Sequence, residues 1–558
     1  MKIKSFIPLA LLFTIGMVSI TGCQKGDLID NPNVAGASGT VPASLLLNHL
    51  TSTLIGSTAA PYTISYEQPF QVSTNAAQYE LSNYQYYRGN NNYNYGSTVD
   101  DYNVLKYAIA LETQSTQQLG NQTNKYYALG QFFKAYSGIW LTQRVGDIPF
   151  SQAGNPTILT PKFDTQHDVY KACLALLNNA NSLLAPLTAA NPGAKLDAGD
   201  IFGLTYLQWQ KVINTYTLRV LISLSKRVGD PTAADLNITS TFATIVNNPS
   251  TYPIMTSSSD DLIYAYNVAF NPYPIFASGD EPYNNFANPG EAYVNATAGN
   301  QDPRAYVTIT PAPAPVAGGK SVSDFTAYVG SNDNLTEPQL LANSNNGAYS
   351  YTSYNRYYTS ISGADAEPFV FIGYPELCFN IAEGINRGWA SGSSTTWYTN
   401  GINASLATYG ITNGEAVTIG FPISSTDATI NPGLIAQGGK WGTATVDLPQ
   451  FMANVAYKGD NATGLAQIFT QRYVAMFVNS GWEPFYEWRR SVSTTDPNGI
   501  PAWDQGGPGI GTANSLLPRR WEYPSAEASS NSANYKAALI SQFGSAVDDP
   551  TKDTWLTK

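Results

Sequence analysis

A mainly α-helical fold of paired helices, interrupted by long irregular loops, is what this sequence predicts, and three observations predict it. In the stretch 126–153, Leu129, Phe132, Phe133, Tyr136, Ile139 and Trp140 recur at spacings of three and four, which paints one apolar stripe on a helix. Gly146, Asp147 and Pro149 then supply breaker and turn chemistry, and a second helix start follows with Asp164 or Thr165 as the N-cap ahead of His167 and Asp168. The same helix, turn, helix pattern returns further along, separated by aperiodic spans rich in Pro, Gly, Asn and Tyr.

Taken in order, residues 1–22 read as a processing signal. Lys2 and Lys4 give a positive start, Phe6 to Ile20 is an apolar run too short to span a bilayer comfortably, and Ile20-Thr21-Gly22-Cys23 closes it. This ending resembles a bacterial lipoprotein lipobox, so Cys23 is the expected lipidation site. Its acyl chains would anchor the protein by burying CH₂ groups at ~0.8 kcal/mol each. Residues 23–40 carry the anchor and a polar tether rich in Gly, Asn and Ser. A short apolar helix runs from Pro42 to Leu54, and helices are expected over 100–119, 165–187 and 206–228, the last amphipathic through Trp209, Val212, Ile213, Tyr216 and Leu221. Tyr126, Leu129, Gly130 and Phe133 match the first half of a tetratricopeptide signature, and the second half is absent. Helices return over 369–387 and 396–407, and 465–490 carries a further apolar stripe through Ile468, Phe469, Tyr473, Met476 and Phe477. A last short helix lies near Tyr535. Long insertions are expected near 56–98, 248–367 and 409–462, where helical periodicity lapses while aromatic residues abound.

Composition narrows the function. Of the 558 residues 43% are hydrophobic but only 12% charged, so the polar surface is built from Asn, Ser, Thr, Gln and the 37 tyrosines. A tyrosine joins a flat apolar face to a hydroxyl, which suits wet binding surfaces, although most of the 37 are expected only to fill helix seams. A net charge of −11 with no run of Lys or Arg excludes a nucleic-acid face. Cys23, Cys173 and Cys378 form no CxxC pair and the histidines are only His49 and His167, so no metal cluster is assembled by spacing and no cofactor is expected. Cys173 and Cys378 sit on apolar helices, as buried thiols or as a disulfide that an exported location permits. No nucleophile elbow or metalloprotease helix is present, and Gly318-Gly319-Lys320-Ser321 lacks the earlier glycine of a phosphate loop.

A family becomes visible in the order of the landmarks. These are the lipobox Cys23; Gly146-Asp147-Ile148-Pro149-Phe150 with Ala153; Pro161-Lys162-Phe163-Asp164 before Val169-Tyr170; Asp302-Pro303-Arg304; Tyr374, Glu376, Phe379, Ala382-Glu383 and Gly388-Trp389; Gln471 with Trp482 and Glu487 to Arg490; and Arg519-Arg520 with Tyr523-Pro524. The chain resembles the SusD/RagB-like outer-membrane nutrient-binding lipoproteins, in their SusD-like branch. The resemblance implies one helical domain over 41–558, built on degenerate tetratricopeptide-like hairpins with the ligand face on long loops. It also implies a place on the outer membrane, facing the exterior, as the partner of a SusC-like TonB-dependent transporter that receives oligosaccharide or peptide.

Saccharides are held by aromatic faces against the apolar side of the ring and by planar polar groups on the hydroxyls. Tyr84, Tyr86, Tyr87, Arg88, Asn91 and Tyr93 supply both within ten residues, and Tyr273 and Tyr283, then Tyr354, Arg356 and Tyr357, form further candidate contacts. Each set has a plainer reading in which the rings pack on their own scaffold. Glu376 and Glu383 lie seven apart on one helix face, as a glycosidase acid and nucleophile would, but nearby arginines favour structural pairing. Trp482, Trp488, Arg489 and Arg490 likewise suit packing better than a ligand platform. A non-enzymatic glycan-binding lipoprotein is therefore the expectation, with peptide capture or a surface glycoside hydrolase as the alternatives.

Overall fold

The computed structural model describes residues 40–55, 72–84, 102–267, 271, 273, 286–332, 334–357, 367–419, 442–503 and 517–558. Its N-terminal half is a run of antiparallel helices: α1 (Ala43–Ile55), α2 (Tyr102–Leu119), α3 (Lys125–Val145), α4 (Gln166–Ala190), α5 (Tyr206–Ser223) and α6 (Ile238–Asn247), each packed on the next. Side-chain caps set several starts. The Asn124 carboxamide accepts from the Tyr127 N–H (2.7 Å), Thr165 accepts from Asp168, and Thr205 with Gln208 forms a capping box. Gly146 closes α3 at φ 100°, a conformation that a residue with a Cβ adopts only under strain.

The second half adds α7 (Tyr374–Asn386), α8 (Ser394–Thr408), α9 (Ala462–Ala475), α10 (Glu483–Ser491) and α11 (Ser532–Phe543). Helix α7 is central, touching α5, α8 and α9. One apolar core runs from Ala43 to Leu556, and a smaller cluster of Phe379, Tyr398, Ile402, Phe451 and Ile468 fills the space between α7, α8 and α9. Among the described residues, three two-stranded ribbons stand on this helical body. They pair β1 (Glu80–Ser82) with β3 (Ala287–Pro289), β2 (Leu262–Tyr264) with β4 (Phe369–Ile372), and β5 (Ala416–Ile419) with β6 (Gly442–Thr445), all antiparallel. Cys173 and Cys378 are separate buried thiols, so the disulfide alternative falls away.

The elements depart from the sequence reading in several places. Residues 369–372 form strand β4 rather than the first turn of a helix, because they pair with β2 and Gly373 then resets the backbone for α7. The stripe over 465–490 divides into α9 and α10, with Val478 at φ 49° between them. Helix α5 stops at Ser223, and a 3₁₀ turn over Ser225–Arg227 completes the expected span. The insertion 248–367 is not wholly irregular, since it contributes β2, β3 and short helices at Glu291–Thr297, Arg304–Thr308 and Glu337–Asn345.

Candidate functional site

The ribbons gather the ends of the tyrosine-rich spans. The β1–β3 pairing sets Ser82 opposite Ala287 and continues beyond the strands, where the Asn83 N–H donates to the Phe286 carbonyl (3.0 Å) and the Asn83 amide donates to Asn288 Oδ1 (2.8 Å). This brings the half-buried Tyr84 ring to 4.7 Å from that of Phe286. Beneath them Tyr79 stacks on Tyr473 at 4.5 Å and donates to its carbonyl oxygen (2.6 Å), while Tyr293 stacks on Phe477 at 4.0 Å. These buried rings form a rigid aromatic floor under the ribbon.

On the neighbouring ribbon, β2 and β4 place Tyr264 opposite Phe369, and Tyr264, Tyr266 and Tyr273 follow one another edge to face at 5.3 and 5.2 Å. The Tyr273 hydroxyl donates to Asn479 Oδ1 (3.2 Å), and the Asn479 carbonyl accepts from the Val370 N–H (2.9 Å). Asn479 reaches both because the Phe477–Asn479 turn is tight: its N–H donates back to the Phe477 carbonyl (2.7 Å) across Val478. A β-branched residue with positive φ is strained, and the surrounding contacts must hold it there.

The third candidate set divides. Arg356 pairs with Glu367 (2.8 Å), donates to the Tyr409 carbonyl (3.3 Å), and lies 4.8 Å over the Tyr409 ring. Burial raises the Glu367 carboxyl above its ordinary range, with Arg356 pulling the other way. Tyr357 turns inward, 6.1 Å from Phe477. With 2% and 0% of their surfaces exposed, Tyr273 and Tyr357 present no face to a guest in this structure; their rings belong to the packed floor, a correction to the sequence expectation. Burial accordingly pushes both phenols well above the ordinary tyrosine value. Tyr86, Tyr87, Arg88, Asn91, Tyr93, Tyr283 and the Tyr354 side chain lie outside the described residues, as does Cys23.

The larger described cavity, about 570 Å³, lies elsewhere, along α2, with Leu105, Ile109, Pro149 and Ala153 among its lining residues. A second, of about 270 Å³, opens among α4, α5 and α6.

A family model described as starch-binding associating with the outer membrane matches residues 36–524. The chain belongs to the SusD-like family. Its fold is similar to that of a SusD homologue from Bacteroides fragilis, at 25% identity and a TM-score of 0.72 over 93% of this chain and all of that one. A SusD homologue from Bacteroides uniformis is similar at 19% identity and 0.66, over 92% and 99% of the two chains, and a chitin-binding protein at 21% and 0.64, over 92% and 100%. No curated protein matches the sequence.

The SusD-like landmarks do structural work. The buried Arg304 guanidinium grips Asp302 through Nε (3.0 Å to each oxygen), donates to Ser405 (2.9 Å) and reaches Gln471, tying Arg304–Thr308 to α8 and α9. Asp147 accepts from the Gln166 N–H (2.8 Å), and its carbonyl accepts from the Tyr523 hydroxyl (2.7 Å). Glu376 pairs with Arg219, and Glu383 is held by Arg387 (2.8 Å), Arg472 (2.9 Å) and Arg490. Neither carboxylate stands free in a cleft as a glycosidase pair does. Trp488 stacks on Trp503 at 4.6 Å and donates to the Asn498 carbonyl (2.6 Å), so it too is scaffold. Tyr409 and Asn479 were not picked out from sequence, because each acquires its role only through a partner far along the chain.

Proposed function

We propose that this SusD-like chain is an outer-membrane lipoprotein, anchored through Cys23 and facing the exterior. It captures neutral oligosaccharide on the face above the β1–β3 and β2–β4 ribbons and delivers it to a SusC-like TonB-dependent transporter. The observation that carries the reading is the attachment of both ribbons to one turn: Tyr79 and Tyr293, beside the β1–β3 ribbon, pack on Phe477, while Val370 of β4 and Tyr273 bond Asn479 two residues on. The family's description as starch-binding, and the similarity to a chitin-binding protein, support a glycan as cargo. Spans 85–101 and 274–285 then supply rings and amides, with Tyr84 at the edge of the contact.

Titration of the mature chain with maltooligosaccharides, chitooligosaccharides and short neutral peptides tests this. Tyr84→Ala or Tyr86→Ala is expected to weaken binding of the preferred glycan about tenfold, the loss of roughly 1.4 kcal/mol of stacking, at an unchanged melting temperature. Unchanged affinity in both variants removes this face from the site. Binding confined to peptides overturns the choice of cargo, and release of shorter sugars on long incubation overturns the non-enzymatic reading.

A further inference from the structure

The smaller cavity lies on the helical scaffold, among α4, α5 and α6, and none of its described lining residues belongs to a ribbon. Its floor holds an unusual group. Asn214 on α5 is almost fully buried, and both its amide hydrogens are used: Nδ2 donates to Asn181 Oδ1 (2.9 Å) and to the Pro253 carbonyl (2.9 Å). Asn181 Oδ1 is itself fixed by the Gln210 amide (2.9 Å), so the carboxamide cannot turn over without losing both bonds. The Asn214 oxygen is left with no partner among the described residues, and it is not among the sealed orphan atoms of the interior, so it is reachable from the cavity. Leaving such an acceptor unmatched is costly unless something outside the protein satisfies it.

Around this acceptor the lining mixes neutral polar groups with apolar side chains. Thr217, also buried, donates its hydroxyl to the Ile213 carbonyl (2.8 Å), which leaves its lone pairs to accept. The Thr241 hydroxyl, the Asn178 amide and the Tyr252 hydroxyl have no partner among the described residues, and Leu236 and Ile245 supply an apolar wall. Among the described residues, no Asp, Glu, Lys or Arg lines the cavity. A zwitterion or an anion finds no counter-charge here, and a purely apolar guest leaves the hydroxyls and amides unmatched. A ring with hydroxyls on its edges and C–H groups on its faces satisfies both walls. At about 270 Å³ the cavity falls just below the usual span of drug-sized ligand pockets, so it takes one ring and not a chain.

We propose that this cavity is a second binding site, for a single neutral polyhydroxylated ring of monosaccharide size. The Asn214 oxygen and Thr217 accept from the ring's hydroxyls, while Thr241, Asn178 and Tyr252 complete the contacts at the mouth. The site is separate from the loop face and stands whether or not that face binds glycan.

Ligand-observed saturation-transfer NMR on the mature chain, with D-glucose as the probe and D-glucuronate as the charged control, tests it. Glucose is expected to bind with a dissociation constant on the order of millimolar, the strength that neutral hydrogen bonds give a ring of about a dozen heavy atoms, and glucuronate at least tenfold more weakly. Measured in a Tyr84→Ala background to silence the loop face, Thr241→Phe should block the mouth and abolish the signal. The near-isosteric Thr241→Val should weaken binding severalfold at an unchanged melting temperature. A signal that survives Thr241→Phe, or that disappears with Tyr84→Ala alone, overturns the proposal, as does the absence of glucose binding. Loss of oligosaccharide binding in Tyr84→Ala with glucose binding retained separates the two sites.

Discussion

Where α7 begins, the Asp261 carboxylate accepts from the Tyr374 N–H (2.6 Å), and burial, reinforced by neighbouring Asp260, pushes its carboxyl up to about 7. A carboxyl raised above its unfolded value near 3.9 contributes stability that is present at acidic pH and lost as pH rises through 7. Asp261→Asn keeps an oxygen for the Tyr374 N–H and removes the charge. It should stabilise the protein at pH 8 by on the order of 2 kcal/mol, the gain growing between pH 4 and 7 and then levelling off. Equal melting-temperature gains at pH 4 and pH 8 would contradict this. Glu383 has the opposite setting. Burial disfavours its charge, but Arg490, Arg387 and Arg472 hold its carboxyl well below the usual range, so its contribution is present above about pH 4.3 and fades as pH falls through the lowered value. Glu383→Gln leaves the arginines of α9 and α10 facing one another with only Glu487 between them, and is expected to cost about 3–5 kcal/mol in denaturant unfolding. The pairing of Glu383 with arginine was legible from the arginines near it in sequence; the raised Asp261 was not, because nothing local marks a residue that only the fold buries.

Among the elements, the α3–α4 hairpin shows how closely two helices approach when a glycine lies at their crossing. A Cβ built on Gly138 would stand 2.6 Å from the Phe150 ring and 2.8 Å from Cys173 Sγ. Gly138→Ala is therefore expected to destabilise by about 1–3 kcal/mol, and Cys173→Ala in the same chain should recover part of that loss, because the sulfur is one of the two obstacles. Additive losses in the double variant would place the strain on Phe150 alone. The helix itself was legible from its apolar stripe, and so was its end at Gly146. Helix α6 was not singled out, because Ile238, Thr239, Thr241, Thr244, Ile245 and Val246 are β-branched and read weakly as helix. Burial of Ile238, Phe242 and Ile245 decides its state instead. Strand β4 was hidden in the same way: Phe369 to Ile372 carries an apolar run that periodicity alone reads equally well as helix, and only the pairing with β2, a hundred residues away, settles it.

Across the whole molecule, the order of landmarks made the fold legible because those residues serve the scaffold, and the scaffold is periodic. The site was less legible. A tyrosine that packs and a tyrosine that stacks on a guest look alike in sequence, and Tyr273 and Tyr357 went to the floor while Tyr84 stayed at the edge. The C-terminal segment shows the same dependence on distant partners. The family match ends at residue 524, yet the chain beyond it returns to α3 and α4. Leu556 donates its N–H to Gln166 Oε1 (2.8 Å), Trp555 lies edge-on to His167 at 5.6 Å, and Asp548 pairs with the buried Arg520 and accepts from the Tyr523 N–H (2.7 Å). Tyr523 in turn reaches the Asp147 carbonyl at the end of α3, so the tail helps to lock the Gly146-Asp147 landmark of the family to its last. Removing residues 547–558 leaves the Arg520 guanidinium buried without its carboxylate and Gln166 Oε1 without the Leu556 N–H. A loss of about 3–5 kcal/mol follows from the broken ion pair alone. The tail contacts neither ribbon in these interactions, so glycan affinity should be unchanged at temperatures where the truncated chain remains folded. A truncated chain with the full denaturation midpoint would show that α3 and α4 hold together without this closure.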